Sequence, residues 1–351
     1  MSFVILGLSL SSSWGNGHAT TYRSLIKALT QQGHKILFLE RDKPWYAANR
    51  DLPHPDFCDM QLYDSIEDLN SKFRISVHDA DLVIVGSYVP EGVDVGAWAL
   101  EHARGIVGFY DIDTPVTLAK LDSGNYEYIT PGLIHRYHIY FSFTGGPMLK
   151  RLEKTYGSPK ALPLYCSVDP KSYYPTCDKG VYDCGYMGTY SPDRQEFLNR
   201  FLIEPARSLD NKHFIVAGSQ YPDYIKWPPN LEKVEHLQPE RHCFFYNSQR
   251  FTLNITRRDM IAAGYSPSVR LFEAAACGVP VISDYWDGLE TFFTLGEEIL
   301  SARRPQDTTE YISHIDDTQR QIIGSRARQR ILDEHTSEKR AQQLIMYVKN
   351  L

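Results

Sequence analysis

Short apolar runs alternate with helix-length amphipathic stretches along this chain, and no other feature constrains its fold as strongly. In the first half the apolar runs lie at residues 3–8, 35–39, 82–85, 106–109 and 140–143. Amphipathic stretches at 19–32, 93–103 and 146–156 predict the helices between them. Strands that are apolar at every position are typical of a parallel sheet covered on both faces, so the pattern predicts an α/β fold.

The alternation restarts after a proline-rich stretch at residues 161–175, which shows no helical or strand period and predicts a connector. Beyond it we predict strands at 183–187, 213–217, 251–255 and 279–283, helices at 192–208 and 268–277, and tail helices at 316–333 and 337–348. A chain of 351 residues suits two domains. We therefore predict domains at 1–165 and 176–330, with residues 331–351 as a final helix that packs back on the first domain.

Composition excludes several classes of protein. The net charge of −6 and a pI near 6.1 argue against a partner made of nucleic acid, because such proteins are usually basic. No apolar run approaches the roughly 18 residues that a membrane-spanning helix needs. The six cysteines have no C-x-x-C spacing, and the apolar start lacks the basic residue and cleavage site of a signal peptide, so we expect a cytoplasmic protein.

A glycine-rich turn follows the first predicted strand. Gly15, Asn16 and Gly17 lead directly into His18, which opens the first helix. Glycines there allow close approach of the backbone to a ligand, and His18 would act as a general base or hydrogen-bond donor. The alternative is that His18 is only the first residue of its helix. The turn is not G-x-G-x-x-G, so the dinucleotide fingerprint is absent.

The segment 266–284 carries the strongest chemical signal in the sequence. Ser266 or Ser268 is placed to cap a helix, and the free N–H groups of such a helix start suit a diphosphate. Arg270 and Glu273 lie three residues apart, so they project from one face, where a cation suits phosphate and a carboxylate suits a ribose diol. The alternative is an Arg–Glu surface pair on an otherwise apolar helix.

Two carboxylates follow the strand at 106–109. Asp111 and Asp113 lie at its carboxyl end, where they would orient an acceptor hydroxyl or a catalytic histidine. The alternative is that Asp113 or Thr114 caps the next helix. We predict no zinc site, because the other histidines considered lack partners at ligand spacing: His135, His138, His236 and His242.

Residues 270–284 (RLFEAAACGVPVISD) resemble the donor-site segment of group 1 glycosyltransferases of the GT-B fold. The pieces YMGTYS at 186–191, FTLNITR at 251–257 and SPSVRLFE at 266–273 resemble the branch of spore-maturation CgeB-like proteins. The resemblance implies two Rossmann-like domains facing a central cleft, with the acceptor bound by residues 1–165 and a nucleotide sugar by residues 176–330. The motifs that carry the resemblance lie in the second half of the chain, and the first half resembles the family only in general pattern.

The resemblance also implies the roles of individual residues. Arg257 follows the strand at 251–255 and is placed to reach the diphosphate, whereas Arg258 beside it fits a surface position. Together the implied donor-binding residues are Gly188, Thr189, Arg194, Arg257, Ser268, Val269, Arg270 and Glu273. The chain departs from the family at Tyr265, where many members carry a second Glu, so the sequence identifies neither the sugar nor the stereochemical outcome.

These residues predict a metal-independent transfer of sugar from a nucleotide-diphosphate sugar to an acceptor hydroxyl. His18, oriented by Asp111 or Asp113, would be the base of an inverting enzyme, and Gly15–Gly17 would form the acceptor-side loop. GT-B enzymes generally need no divalent ion, so we expect no metal and no other cofactor. The alternatives are an NDP-sugar epimerase of the same fold and a sugar- or nucleotide-binding protein without catalysis.

Overall fold

The structure, a computed structural model, describes residues 1–14, 18–176 and 180–351. The chain divides into two compact units. The first unit comprises Met1–Ser167 together with Ser337–Leu351, and the second comprises Val168–Thr336. The predicted Gly15–Gly17 loop lies outside the described residues.

The first unit is built on a seven-stranded parallel sheet in the order β3-β2-β1-β4-β5-β6-β7. Its strands are β1 (Ser2–Leu6), β2 (Lys35–Arg41), β3 (Asp59–Tyr63), β4 (Leu82–Gly86), β5 (Ile106–Asp111), β6 (Ile139–Ser142) and β7 (Ala161–Pro163). The helices in this part of the chain are α1 (His18–Gln31), α2 (Pro44–Ala47), α3 (Ile66–His78), α4 (Gly92–His102), α5 (Thr114–Asp122), α6 (Pro131–Ile134) and α7 (Pro147–Lys154). Every residue of β4 is buried, as its continuous apolar run predicts.

The second unit repeats this plan with a six-stranded parallel sheet in the order β10-β9-β8-β11-β12-β13. Its strands are β8 (Tyr182–Met187), β9 (Phe214–Ala217), β10 (Leu231–Val234), β11 (Gln249–Asn254), β12 (Val281–Asp284) and β13 (Leu300–Ala302). Its helices are α8 (Pro192–Leu198), α9 (Glu204–Ser208), α10 (His242–Asn247), α11 (Arg258–Ala263), α12 (Val269–Ala276), α13 (Pro305–His314) and α14 (Asp317–Glu334).

Both sheets reverse their strand order beside the first strand of the unit. The chain runs from β1 outward to β3 and then returns to β4, and in the second unit from β8 outward to β10 and then to β11. This is the order of a Rossmann-like sheet, in which ligands bind at the carboxyl ends of the strands where the order reverses. In the second unit that point lies at the ends of β8 and β11.

The final helix, α15 (Ser337–Lys349), belongs to the first unit and packs on α1. Its inward side chains Ala341, Leu344 and Val348 are buried. The chain therefore leaves the first unit after Ser167 and returns to it at Ser337.

The connector predicted at residues 161–175 is partly wrong, because its first three residues form β7. Ala161–Pro163 pairs with Tyr140–Ser142 at the edge of the first sheet. Proline cannot donate to a sheet ladder, and an edge strand tolerates it because one side of that strand has no neighbour. A strand of only three residues, within a proline-rich stretch, is too short to be recognised from its sequence pattern.

The helix predicted at 192–208 has the predicted bounds, but it is not α-helical throughout. The structure has α8, then a π-helical turn over Asn199–Ile203, then α9. Pro205 is the second residue of α9 and has no N–H to donate to the preceding turn, so regular α-helical bonding is interrupted there.

Candidate functional site

Three strand ends meet at the reversal point of the second sheet. The strands β8, β11 and β12 are neighbours, and they end at Met187, Asn254 and Asp284. Helix α12 begins beside them, because the chain returns from α11 to pack α12 against β11 and β12. Its first turn carries Arg270 to these strand ends.

Arg270 is the cation of this site, and it is held from three sides. Its Nε donates to the Met187 carbonyl oxygen at 2.6 Å, and its Nη1 donates to Asn254 Oδ1 at 2.8 Å. The guanidinium also lies over the Tyr186 ring, 4.8 Å from its centroid, which adds a cation–π contact. Arg270 is only 8% exposed, so the predicted alternative of a surface Arg–Glu pair does not describe it.

The remaining guanidinium nitrogen of Arg270 faces the loop that follows β8. A Cβ atom added at Gly188 would lie 3.0 Å from Arg270 Nη2. Within the described residues Nη2 donates no hydrogen bond, whereas Nε and Nη1 are both used. The arrangement leaves one edge of a fixed guanidinium for a ligand beside Gly188.

The Gly188 loop is fixed by its own backbone. The Gly188 N–H donates to the Ala217 carbonyl oxygen at 2.8 Å, and the Tyr221 hydroxyl donates to the Gly188 carbonyl oxygen at 2.9 Å. A Cβ at Gly218 would lie 2.0 Å from that carbonyl oxygen, so β9 approaches the loop only because residue 218 is glycine.

Two other residues with predicted donor roles lie in this region. Arg194, in α8, donates from Nη2 to the Thr189 carbonyl oxygen at 2.7 Å. This bond stabilises the loop after β8, which contains Gly188 and Thr189. Arg257 occupies the N-cap position of α11, directly after β11. Its neighbour Arg258 is exposed and pairs with Glu196 across 2.5 Å.

The first turn of α12 has no side-chain cap. Ser268 occupies the N-cap position with an extended backbone, but its hydroxyl donates to Asn254 Oδ1 at 2.8 Å and accepts nothing from the helix. The predicted alternative, Ser266, directs its hydroxyl to Met260 Sδ. The first turn also contains no acidic residue. The Leu271 N–H donates to the Ser268 carbonyl oxygen, so the N–H groups of Val269 and Arg270, with the positive end of the helix dipole, are the ones that suit an anion.

Glu273 lies one turn further along α12 and is 3% exposed. Its Oε2 accepts a hydrogen bond from the Tyr246 hydroxyl at 2.9 Å. Arg270 and Glu273 therefore share one helix but bind different partners. This bond gives Glu273 a part in the fold of the second unit, in addition to the ribose contact that the sequence predicted for it.

Sequence reasoning missed the polar network beneath Arg270. Thr256 donates from its backbone N–H to Asp284 Oδ2 and from its hydroxyl to Asp284 Oδ1, both at 2.8 Å. Burial raises the pKa of the Asp284 carboxyl to about 6, although the two bonds from Thr256 act in the opposite direction. The sequence contained a feature that could have predicted this network. Asn254 and Thr256 are polar residues at the end of an apolar strand, and buried polar groups require hydrogen-bond partners.

In the first unit the structure places the predicted catalytic residues as follows. His18 is the first residue of α1, and its side chain is not among the parts that the structure describes. Asp111 ends β5 and is fully buried, accepting hydrogen bonds from the Tyr140 and Thr117 hydroxyls and from the Asp113 N–H. Burial raises the pKa of the Asp111 carboxyl to about 6.

Asp113 is the less buried of the two predicted carboxylates, at 8% exposed. It occupies the N-cap position of α5, yet its side chain does not cap that helix and its Oδ2 accepts from the Tyr88 hydroxyl at 2.8 Å. Asp111 has no exposed surface through which to touch a substrate, so any effect it has on an acceptor passes through its neighbours.

A buried carboxylate that the sequence analysis did not single out fixes the start of the loop after β1. Glu40, in β2, accepts hydrogen bonds from the backbone N–H groups of Leu10 and Ser11 at 2.7 and 3.0 Å. It also accepts from the Ser11 hydroxyl at 2.5 Å. This anchor precedes the predicted acceptor-side loop, whose own residues lie outside the described ranges.

Within residues 1–14, 18–176 and 180–351, no group of three or more His, Cys, Asp or Glu side chains is placed to hold a metal ion. A search of the helices in the same residues finds none with the length and apolar character needed to span a bilayer.

Comparison with known proteins identifies this architecture. Residues 194–346 match the family model described as glycosyl transferase-like. A sucrose-phosphate synthase from Thermosynechococcus elongatus is 14% identical, with a TM-score of 0.73 over 99% of this chain and 98% of that one. The chain has the GT-B fold, and its second unit carries a glycosyl transferase-like sequence.

Two further GT-B structures are similar over nearly their whole length. HepE from Anabaena, in complex with UDP and glucose, is 14% identical with a TM-score of 0.72, and each chain is covered completely. An alpha-glucosyltransferase in complex with UDP-glucose and DNA containing an abasic site is 13% identical with a TM-score of 0.72, over 99% of both chains. No curated protein matches this chain in sequence.

Proposed function

We propose that this protein is a glycosyltransferase that moves a sugar from a nucleotide-diphosphate sugar to an acceptor hydroxyl. The observation that carries the proposal is the buried Arg270, whose unused Nη2 faces Gly188 beside the uncapped first turn of α12. This cation and helix start form an anion site, and they lie in the part of the chain that matches the glycosyl transferase-like family.

The anion site suits the chemistry of the leaving group. When the bond between the sugar C1 and the diphosphate oxygen breaks, its electron pair stays on the diphosphate, which gains negative charge. Preorganised donors that face this charge stabilise the transition state more than the ground state. Arg270 and the α12 N–H groups would supply that stabilisation, with Arg257 as a further predicted contact, and we propose that no metal ion or other cofactor is required.

UDP-sugars are the first donors to test. HepE is bound to UDP and glucose in one structure and to UDP-glucose in another, and the alpha-glucosyltransferase is bound to UDP-glucose. The ribose contact that the sequence predicts for Glu273 belongs to the same proposal, and so does the CgeB-like branch of the family.

We assign activation of the acceptor to His18 at the start of α1. In an inverting reaction its imidazole would take the proton of the attacking hydroxyl. We propose Asp113 as its partner in preference to Asp111, because Asp113 keeps some exposed surface and Asp111 has none. The acceptor is proposed to be a carbohydrate or glycoconjugate handled in the cytoplasm, because the net charge of −6 does not favour nucleic acid.

Product analysis with a panel of NDP-sugars tests the proposal. The protein is incubated with each donor and with simple sugar acceptors, with and without EDTA, and the nucleotide and sugar products are separated. We expect NDP release that depends on an acceptor and survives EDTA. An epimerised NDP-sugar that forms without acceptor would instead identify an epimerase, and binding without turnover would identify a non-catalytic binding protein.

A further inference from the structure

We propose that Asn254 is a positioning residue, which holds Arg270 in the orientation that meets the diphosphate. The inference rests on the proposed function, because it concerns the same donor site. The residue ends β11 and is completely buried. No motif in the sequence analysis gave its side chain a role.

The Asn254 amide uses all of its hydrogen-bonding capacity. Its Oδ1 accepts from Arg270 Nη1 and from the Ser268 hydroxyl, both at 2.8 Å. Its Nδ2 donates to the Ser283 hydroxyl at 2.9 Å and to the Thr256 hydroxyl at 3.2 Å. Two donors and two acceptors are satisfied, so the amide has one orientation, and the flipped orientation would place its NH₂ group against a guanidinium.

Because every donor and acceptor of the Asn254 amide is already hydrogen-bonded, Asn254 can act only indirectly. It is buried and has no donor or acceptor left over, so it cannot bind a ligand directly. Its Oδ1 fixes both Arg270 and the N-cap residue Ser268, the two features that shape the anion site. Asn254 therefore acts through Arg270 and the start of α12.

A neutral acceptor at this position also preserves the charge of the site. A carboxylate at residue 254 would form a charge-assisted pair with Arg270 and offset its attraction for a diphosphate. The buried carboxylate on the neighbouring strand, Asp284, bonds Thr256 through both oxygens instead. Asp284 already interacts with the Arg270 charge through space, and the Asn254 amide orients the guanidinium without adding a second carboxylate.

The substitution Asn254→Asp tests this role, because it keeps the shape of the side chain and changes only its charge and donor capacity. The measurement is the affinity of the whole protein for UDP, GDP or ADP, whichever binds the wild type, and for the matching nucleoside, by calorimetry and ligand-observed NMR. We expect the affinity for the nucleoside diphosphate to fall about tenfold or more, with little change for the nucleoside. A folded Asn254→Asp protein with an unchanged affinity ratio would overturn the inference.

A double-mutant cycle with Arg270→Gln separates positioning from a general effect on the fold. If Asn254 acts through Arg270, Asn254→Asp adds little to the loss that Arg270→Gln already causes, and additive losses would contradict the proposal. Thr252→Val is the matched control. Thr252 is buried two residues earlier in β11 and bonds Gln249 Oε1 at 2.7 Å, so its loss should leave the affinity ratio unchanged.

A second variant covers the case in which Asn254→Asp does not fold. Thr256 and Ser283 give their own hydroxyl hydrogens to Asp284, so a carboxylate at residue 254 would face two oxygens without a hydrogen to share. Asn254→Ser removes this conflict and shortens the reach to Arg270, and it should show the same selective loss. If the wild type binds none of the three nucleotides, the proposed function itself fails, and this inference fails with it.

Discussion

The ionisable side chains buried at the carboxyl ends of the two sheets or beside them include Asp111, Arg270, Glu273 and Asp284. Burial of an unpaired charge costs several kcal/mol, and removal of one partner from a buried group leaves the other uncompensated. Each of these four has hydrogen-bond partners in the structure. Substitutions at the partners should therefore lower stability even where they do not touch a ligand.

The bond between Tyr246 and Glu273 gives the first prediction. Tyr246→Phe removes the hydroxyl that donates to the buried Glu273 carboxylate, so we expect a loss of about 1–3 kcal/mol in the free energy of unfolding. Urea unfolding of the whole protein measures it. Tyr224→Phe is the control, because Tyr224 is 73% exposed and its loss should change stability little. Equal stability of the two variants would show that the Glu273 carboxylate does not depend on this bond.

The raised pKa of Asp284 gives a prediction for pH. Its folded-state pKa is raised from 3.8 to about 6, so the folded protein binds this proton more tightly than the unfolded chain does. The contribution to stability is complete below about pH 4 and is lost as the pH rises through about 6, a difference of about 3 kcal/mol.

Asp284→Asn removes this titration. Thermal unfolding midpoints measured at about pH 5 and about pH 7.5 should differ less in Asp284→Asn than in the wild type or in the exposed control Asp287→Asn. Because Asp111 titrates in the same range, some pH dependence should remain in the variant. The same pH dependence in all three proteins would mean that Asp284 is ionised in the folded state at about pH 5.

At the residue scale the sequence predicted which residue types meet at the strand ends, but not which way their side chains point. Arg270 and Glu273 were predicted to share one face, yet packing directs Arg270 to β8 and β11 and Glu273 to α10. Asp111 and Asp113 looked equivalent, and only the positions of Tyr140, Thr117 and Tyr88 distinguish the buried carboxylate from the less buried one. Such differences come from contacts between distant segments, which a local pattern does not contain.

At the scale of elements, the sequence predicted the long apolar strands and several helices within a few residues. It missed the helices α3 and α13 as well as short strands. The missed strands β3, β10 and β13 are three to five residues long, and the first two mix polar with apolar residues. All three lie at sheet edges, where each pairs with only one neighbour. A run of this length is too short for periodicity to distinguish a strand from a loop.

Residue 218, directly after β9, lies close to the Gly188 loop, and a single substitution that adds one methyl group tests this contact. Gly218→Ala would place a Cβ 2.0 Å from the Gly188 carbonyl oxygen, so the loop must shift from its present position beside Arg270. We expect a loss of about 1–3 kcal/mol in the free energy of unfolding and weaker binding of a nucleoside diphosphate.

Gly132→Ala is the control for this substitution. A Cβ at Gly132 meets only the Thr130 hydroxyl oxygen, at 3.7 Å, which is ordinary contact. Unfolding and nucleotide titration of both variants provide the comparison. If Gly218→Ala matched Gly132→Ala in both measurements, the Gly188 loop would not depend on this approach.

At the scale of the whole molecule, the chain crosses from one unit to the other twice, after Ser167 and after Thr336. Proline content and the restart of the strand–helix alternation predicted the first crossing within a few residues. The tail helices were also predicted, and the break between them at His335–Thr336 lies where the sequence placed it to within one residue. Packing of α15 on α1 makes the last residues of the chain part of its first unit.

The role of α15 gives a prediction about the first unit. Leu344 is fully buried on α15, so Leu344→Ala should cost about 2–5 kcal/mol of the stability of that unit. Met346, two residues further on, is 50% exposed, and Met346→Ala should cost little. Limited proteolysis with mass spectrometry should show faster cleavage within residues 1–167 for Leu344→Ala only. Faster cleavage confined to residues 168–336 would contradict the grouping of α15 with the first unit.

The central claim is that a nucleoside diphosphate binds between the Gly188 loop and the first turn of α12. Hydrogen–deuterium exchange of the wild-type protein, with and without saturating UDP, GDP or ADP, tests it most directly. We expect the nucleotide that binds to slow exchange in peptides covering residues 187–191 and 266–273. Binding that leaves these two segments unprotected, while it protects other parts of the chain, would contradict it.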